Sequence, residues 1–185
     1  PEGIDEKKLA YVKMLKNIRR GRIQEYADKY PAAVYTAVDH NLDYNPLWSH
    51  RASCAFPSAT QNEISEKDAY NLINSNIKLV CEGANMYCTP EATDIFLGKP
   101  MLYGPGKAAT SGGVVVSGLE LVQNSMRLNW FGDEVDNRLK IIMKQIHQTC
   151  LDAAEAYGTP GNYANGANIA GFVKVVEAML DQGVV

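Results

Sequence analysis

The sequence offers little from which a metal centre could be built. Its four cysteines, Cys54, Cys81, Cys88 and Cys150, are scattered and form no C-x-x-C pair. Its three histidines stand at no zinc or triad spacing. The expectation is no metal and free thiols, in a reducing, cytoplasmic setting. Basic stripes are also missing: the net charge is −3 with the two signs interspersed, which points to no nucleic acid. No apolar run approaches the roughly 18 residues of a membrane span, so no membrane is expected. No signal peptide opens the chain; Pro1-Glu2-Gly3 leads straight into a charged segment. An initiator Met is absent, a hint of a piece of something longer. Internal repeats and low-complexity stretches are absent too.

What is present is one globular domain's worth of chain, or a domain with an appendage: 185 residues, 46% hydrophobic and 21% charged. Leu9, Val12, Leu15 and Ile18 recur near helical spacing after a capping Asp5, which predicts a helix over 5–20. A short helix over 22–29 follows, and the β-rich run 33–38 predicts a strand. Residues 39–50 read as loop. Strands are expected over 51–56, 77–81 and 100–103. Between them, Ser65-Glu66-Lys67-Asp68 opens a helix as a capping box. Thr89-Pro90-Glu91 opens another with a cap, a proline at the first helical position and an acid near the positive dipole end. Strand and helix therefore alternate, the pattern of an α/β fold with a parallel sheet. Beyond about 114 the chain turns helical. Val135, Leu139, Ile142, Ile146 and Cys150 mark a long amphipathic helix between Asp133 and Gly158. A last helix runs 165–182 around Ile169, Phe172, Val173, Val176 and Leu180.

In open parallel sheets ligands bind at the carboxyl ends of strands. Two such ends carry amide clusters, Pro57-Ser-Ala-Thr60-Gln61-Asn62-Glu63 and Glu82-Gly83-Ala-Asn85-Met86. Paired donors and acceptors on Gln and Asn suit a flat carboxamide such as that of nicotinamide; turn-making and helix capping are the plainer use of the same residues. The third end, Gly104-Pro105-Gly106-Lys107-Ala108-Ala109, fits G-x-G-x-x-A, the outline of a dinucleotide fingerprint. Pro105 removes a backbone donor there. Gly112-Gly113 would break a helix begun within the motif. No strand ending in an acid follows about 20 residues on. The stretch reads as a loop with close backbone approach, followed by a helix starting near Gly113.

That helix would aim its first-turn N–H groups at the same crevice. Ser117, one turn beyond Val114, could donate to a ligand carboxylate or bond back to its own helix. Lys107 reads as a ligand-binding ammonium, a catalytic amine or a solvated loop residue. His50 and His147 read as structural or surface groups, and Asp133, Glu134 and Asp136 as helix-start residues.

Taken in order, Pro57-Ser-Ala-Thr-Gln-Asn-Glu63, Glu82-Gly-Ala-Asn-Met86, Gly106-Lys-Ala-Ala109, Gly112-Gly-Val114, Ser117-Gly-Leu-Glu120, Asn162-Tyr163 and Gly166 to Phe172 resemble hexameric glutamate dehydrogenases, most closely the NADP-type bacterial branch. The resemblance runs from about residue 4 to the end. It implies the second half of a Rossmann-like, mostly parallel sheet followed by C-terminal helices. Residues 1–110 would be the C-terminal half of the dinucleotide-binding domain. Residues 111–185 would be a helical segment packing on it and facing the substrate cleft. The true phosphate fingerprint would lie upstream.

By the same resemblance, Thr60, Gln61, Gly83 and Asn85 would bind the cofactor, NADP with NAD as the alternative. Ser117 would bind the side-chain carboxylate of glutamate, with Val114 and Thr110 in the same pocket. The catalytic lysine and aspartate would lie in a part not present, so the chain alone would be inactive. The parent would be a homohexamer interconverting L-glutamate with 2-oxoglutarate and ammonia. Thr110, Ser53 and Tyr87 depart from the family, which usually has Asn, Asp and Pro there. Two alternatives stay open: a leucine, phenylalanine or valine dehydrogenase, whose apolar substrate would leave Ser117 unpaired, and a non-enzymatic helical interaction module.

Overall fold

The computed structural model describes residues 3–39 and 41–183 and divides the chain into two compact units, 1–41 and 42–185. In the first, α1 (Glu6–Lys13) starts where the Asp5 side chain accepts from the Lys8 N–H at 2.8 Å. It passes into a wider π-turn over Met14–Ile18, and α2 (Gln24–Lys29) follows. Of the predicted apolar stripe only Leu15 is fully buried; Leu9 and Ile18 are exposed. Tyr11, Tyr26 and Tyr30 pack ring to ring, with the Lys29 ammonium 3.8 Å above the Tyr11 ring. The strand expected over 33–38 does not form, and Val34 is 91% exposed. β-propensity describes a side chain that fits a pleated surface, and among the described residues no strand pairs with this run.

The second unit is built on three parallel strands, β1 (Cys54–Ala55), β2 (Leu79–Cys81) and β3 (Leu102–Gly104), in the order β1-β2-β3. Ala55 pairs with Val80, and Val80 with Tyr103. Each strand is shorter than its apolar run, because only the paired stretch is ladder. Helix α3 (Glu66–Asn74) makes the first crossover and α4 (Pro90–Leu97) the second. The Ser65 capping box is complete: the Asp68 N–H reaches Ser65 Oγ at 3.4 Å, and the Ser65 N–H reaches Asp68 Oδ2 at 3.1 Å. Asp68 is itself buried and also accepts from the Asn45 N–H at 2.7 Å. Thr89 caps α4 as expected.

The core gathers Ile64, Leu72, Val80, Ala92 and Phe96, all essentially inaccessible, with Trp48 edge-on to Tyr87 and Phe96 beside Tyr103. Each large apolar side chain buried this way contributes about 1.5–3 kcal/mol. After β3 come α5 (Gly106–Ala109), α6 (Ser111–Met126), α7 (Gly132–Ala156) and α8 (Tyr163–Gln182). Val135, Leu139, Ile142, Ile146 and Cys150 form the inward stripe of α7. α8 crosses α7 at Gly166, where a Cβ would stand 1.9 Å from the Cys150 carbonyl oxygen, so only glycine fits. On α8, Phe172 and Leu180 point outward, at 68% and 78% exposure, so the predicted apolar stripe is only partly covered. Among the described residues, no helix is long and apolar enough to cross a membrane.

Candidate functional site

The loops after β1 and β2 are stitched together by backbone hydrogen bonds. Gly83 N–H donates to Pro57 O at 2.7 Å, Asn62 N–H to Met86 O at 2.9 Å and Ile64 N–H to Tyr87 O at 3.2 Å. Asn62 and Met86 take left-handed conformations, φ 54° and 50°, to make the two turns meet. Gly83 is where they touch: a Cβ there would stand 2.1 Å from Ser58 Oγ. The juncture leaves Thr60, Gln61 and Asn85 exposed on one side.

Opposite them stands α6. The pair Gly112-Gly113 does not interrupt it, contrary to the sequence expectation, and helix already begins at Gly106, inside the G-x-G-x-x-A pattern. Two glycines weaken a helix by about 1 kcal/mol each. Here Gly112 lets α6 close on α7, with Leu139 Cδ1 and Met143 Sδ each 3.4 Å from where a Cβ would be. The position a phosphate would take at this turn is filled by the chain's own carboxylate. Glu82, 4% exposed, accepts from the Gly106 N–H at 2.7 Å, the Cys88 N–H at 2.9 Å and the Tyr103 hydroxyl at 2.9 Å. A Cβ on Gly106 would lie 2.6 Å from Ala84 O and 2.9 Å from Glu82 Oε2. The glycine spacing thus serves an internal acid. Burial, followed by the bond to Glu82, pushes the Cys88 thiol up, and burial pushes the Tyr103 phenol up, so both stay protonated.

Between the stitched loops and α6 runs an open groove of about 1190 Å³. All seven residues singled out in the sequence line it: Thr60, Gln61, Gly83, Asn85, Thr110, Val114 and Ser117. Thr110 joins the walls; its hydroxyl lies 2.6 Å from Gly106 O and 3.2 Å from Asn85 Oδ1. Ser117 Oγ does not bond back to its helix and faces the groove with no partner among the described residues; Val114 beside it is 76% exposed. Lys107 also lines the groove, and its ammonium donates to Asn168 Oδ1 on α8, tying α5 to the last helix. Ser111 lines it too and was not anticipated; its hydroxyl donates to Ala108 O at 2.6 Å. His147 Nδ1 lies 3.3 Å from the Tyr163 hydroxyl, whose pKa burial pushes up to about 12. His50 is exposed beyond the turn Pro46–Ser49. Among the described residues no three His, Cys, Asp or Glu side chains gather as metal ligands.

Amide side chains line one wall of the groove and the Ser117 hydroxyl the other. The family model described as Glutamate/Leucine/Phenylalanine/Valine dehydrogenase matches residues 1–183. The chain belongs to that dehydrogenase family. Among relatives of this dehydrogenase chain, the NADP-specific glutamate dehydrogenase of Giardia intestinalis is 47% identical over 184 residues, covering 100% of this chain and 40% of that protein. The NADP-specific glutamate dehydrogenase of Escherichia coli (strain K12) is 45% identical, covering 99% and 39%. Among solved structures, Plasmodium falciparum glutamate dehydrogenase superposes with a TM-score of 0.91 at 38% identity, over 100% of this chain and 38% of that one. The dehydrogenase chain thus spans about 40% of the length of the curated relatives it matches.

Proposed function

We propose that this chain is the C-terminal portion of a glutamate dehydrogenase subunit. The whole subunit catalyses reversible oxidative deamination of L-glutamate to 2-oxoglutarate and ammonia with NADP, NAD being the alternative acceptor. The observation that carries this reading is the groove itself: amides and hydroxyls from three strand ends meet on one side and an unpaired serine faces them from the other. In this reading residues 1–110 belong to the dinucleotide-binding domain and 111–185 to the helical segment facing the substrate cleft.

The residues present fit the nicotinamide end of such a cofactor. Gln61 and Asn85 offer paired donors and acceptors to a carboxamide, with Thr60 beside them and Gly83 letting the backbone come close. They do not fit its pyrophosphate at the Gly106 turn, since Glu82 takes the Gly106 N–H and puts a carboxylate there, and the Ala108 and Ala109 N–H groups go to Pro105 O. When bound, the nicotinamide supplies hydride chemistry. This chain's own part is to orient. Ser117 donates to the substrate's side-chain carboxylate, Val114 walls the same pocket, and Thr110 holds Asn85 against α6. The acid and base that move protons lie outside these 185 residues, so the isolated chain turns nothing over. Four unpaired thiols suit a reducing, cytoplasmic setting, and the whole subunit is read as part of a homohexamer.

The test is an assay of the full-length protein with ammonia and either 2-oxoglutarate or the keto acids of leucine, valine and phenylalanine. The reading expects 2-oxoglutarate to be preferred, with loss of that preference in Ser117→Ala. Preference for an apolar keto acid overturns the assignment within the family. Absence of nicotinamide-cofactor binding at millimolar concentration favours a non-enzymatic module.

A further inference from the structure

Behind the groove, Thr60 has a partner that determines what its hydroxyl can do. Thr60 O–H donates to Glu63 Oε1, and the Tyr87 hydroxyl donates to the other oxygen, Oε2. A threonine hydroxyl on its own is ambivalent, with one proton to give and two lone pairs to receive. A carboxylate only accepts. The single proton of Thr60 is therefore turned away from the groove, and only lone pairs face it. Glu63 is half-buried and not free to swing. Tyr87 pins it from the core: the ring is 3% exposed, edge-on to Trp48 at 6.2 Å, and its carbonyl accepts from the Ile64 N–H. Burial and then the bond to Glu63 push the Tyr87 phenol up, so it remains a donor.

We infer that Glu63, anchored by Tyr87, fixes Thr60 as an obligatory acceptor toward the groove, and that the group it reads is the N–H of the nicotinamide carboxamide. This rests on the cofactor reading of the groove proposed above. Glu63 and Tyr87 are then positioning residues, acting on the cofactor through Thr60. The arrangement selects an amide over a ligand of the same shape that carries a methyl group in its place, because the Thr60 lone pairs would meet nothing.

The experiment uses the full-length subunit and two ligands, the natural oxidised cofactor and its 3-acetylpyridine analogue, in which a methyl replaces the amide NH2. Dissociation constants for both are measured by titration in wild type and in Thr60→Val, Gln61→Ala, Glu63→Gln and Tyr87→Phe. In wild type the analogue binds more weakly by about 3–10-fold, the worth of one hydrogen bond. Thr60→Val loses that discrimination. Glu63→Gln loses it too, because an amide N–H can donate to Thr60 and free its proton for the groove. Tyr87→Phe weakens it in the same direction. A purely structural role for Glu63 would shift both ligands equally and leave the ratio alone. If Thr60→Val lowers the ratio and Glu63→Gln does not, the inference is overturned while the cofactor reading stands. If neither Thr60→Val nor Gln61→Ala alters binding of the natural cofactor, both fall. Should Tyr87→Phe fail to fold, Glu63→Gln decides alone, since it leaves the core ring in place.

Discussion

The two walls of the groove are made in opposite ways. The wall after β1 and β2 is stitched by backbone hydrogen bonds across two loops, backed by Ile64, Tyr87 and Cys88, and held from beneath by Glu82. The facing wall, α6, has no fully buried residue along its 16-residue length and exposes Val114, Leu121 and Met126. Its support comes from the preceding α5, where Gly106 meets Glu82, and from the close approach of Gly112 to α7. The difference teaches where stability and recognition sit. One wall is rigid through long-range partners and holds its polar groups in place. The other presents its polar group from a helix that little packing defines.

The sharpest way to break this comparison is Glu82→Ala. It strands the Gly106 and Cys88 N–H groups without an acceptor and leaves the Tyr103 hydroxyl only Thr93 Oγ1 at 3.3 Å. Unsatisfied buried donors cost about 1–3 kcal/mol each, so a loss of about 3–5 kcal/mol is expected in urea unfolding. A loss below 1 kcal/mol would show that Glu82 is not the joint between the walls. Next in size is Ser117→Ala on the exposed wall. Stability should change by less than about 0.5 kcal/mol, as for a surface residue without partners. On the proposed reading, kcat/KM of the full-length subunit for glutamate should fall about 10–100-fold, the worth of a hydrogen bond to a charged group.

Alkaline pH separates the walls again. The Cys88, Tyr103 and Tyr87 pKa values are raised by burial in the stitched wall, so the folded state keeps protons that the unfolded chain gives up. Their stabilising share is intact below the ordinary thiol value and declines as pH climbs past about 8.5. Thermal melts should show Tm flat through neutrality and falling above that point, with a shallower fall in Tyr103→Phe. The smallest effect is a gain. Gly118 on α6 has nothing within 4 Å of a would-be Cβ, so Gly118→Ala should stabilise by about 0.5–1 kcal/mol. The same change at Gly106 should destabilise, since its Cβ would strike the Ala84 carbonyl oxygen at 2.6 Å.

What could be read along the chain was whatever is decided within about one helical turn. The Ser65 and Thr89 caps, the stripe from Val135 to Cys150, the strand-helix alternation and the amide clusters all have that character, because a cap or a period needs only near neighbours. The failures share a cause as well. Residues 33–38 look like strand and are not, while Cys54–Ala55 is strand with two residues, because a ladder needs a partner from elsewhere. Gly112-Gly113 stays helical, with α7 closing on Gly112 and open space beside Gly113. Glu82 and Glu63 looked like ordinary members of polar clusters; their partners Gly106, Tyr103 and Tyr87 lie 21–24 residues away. Local sequence thus determined which residues could bind something and which elements would carry them. Only the tertiary structure decided that they face one groove and which of their protons are already committed, because a hydrogen bond depends on distance in space and not on separation along the chain.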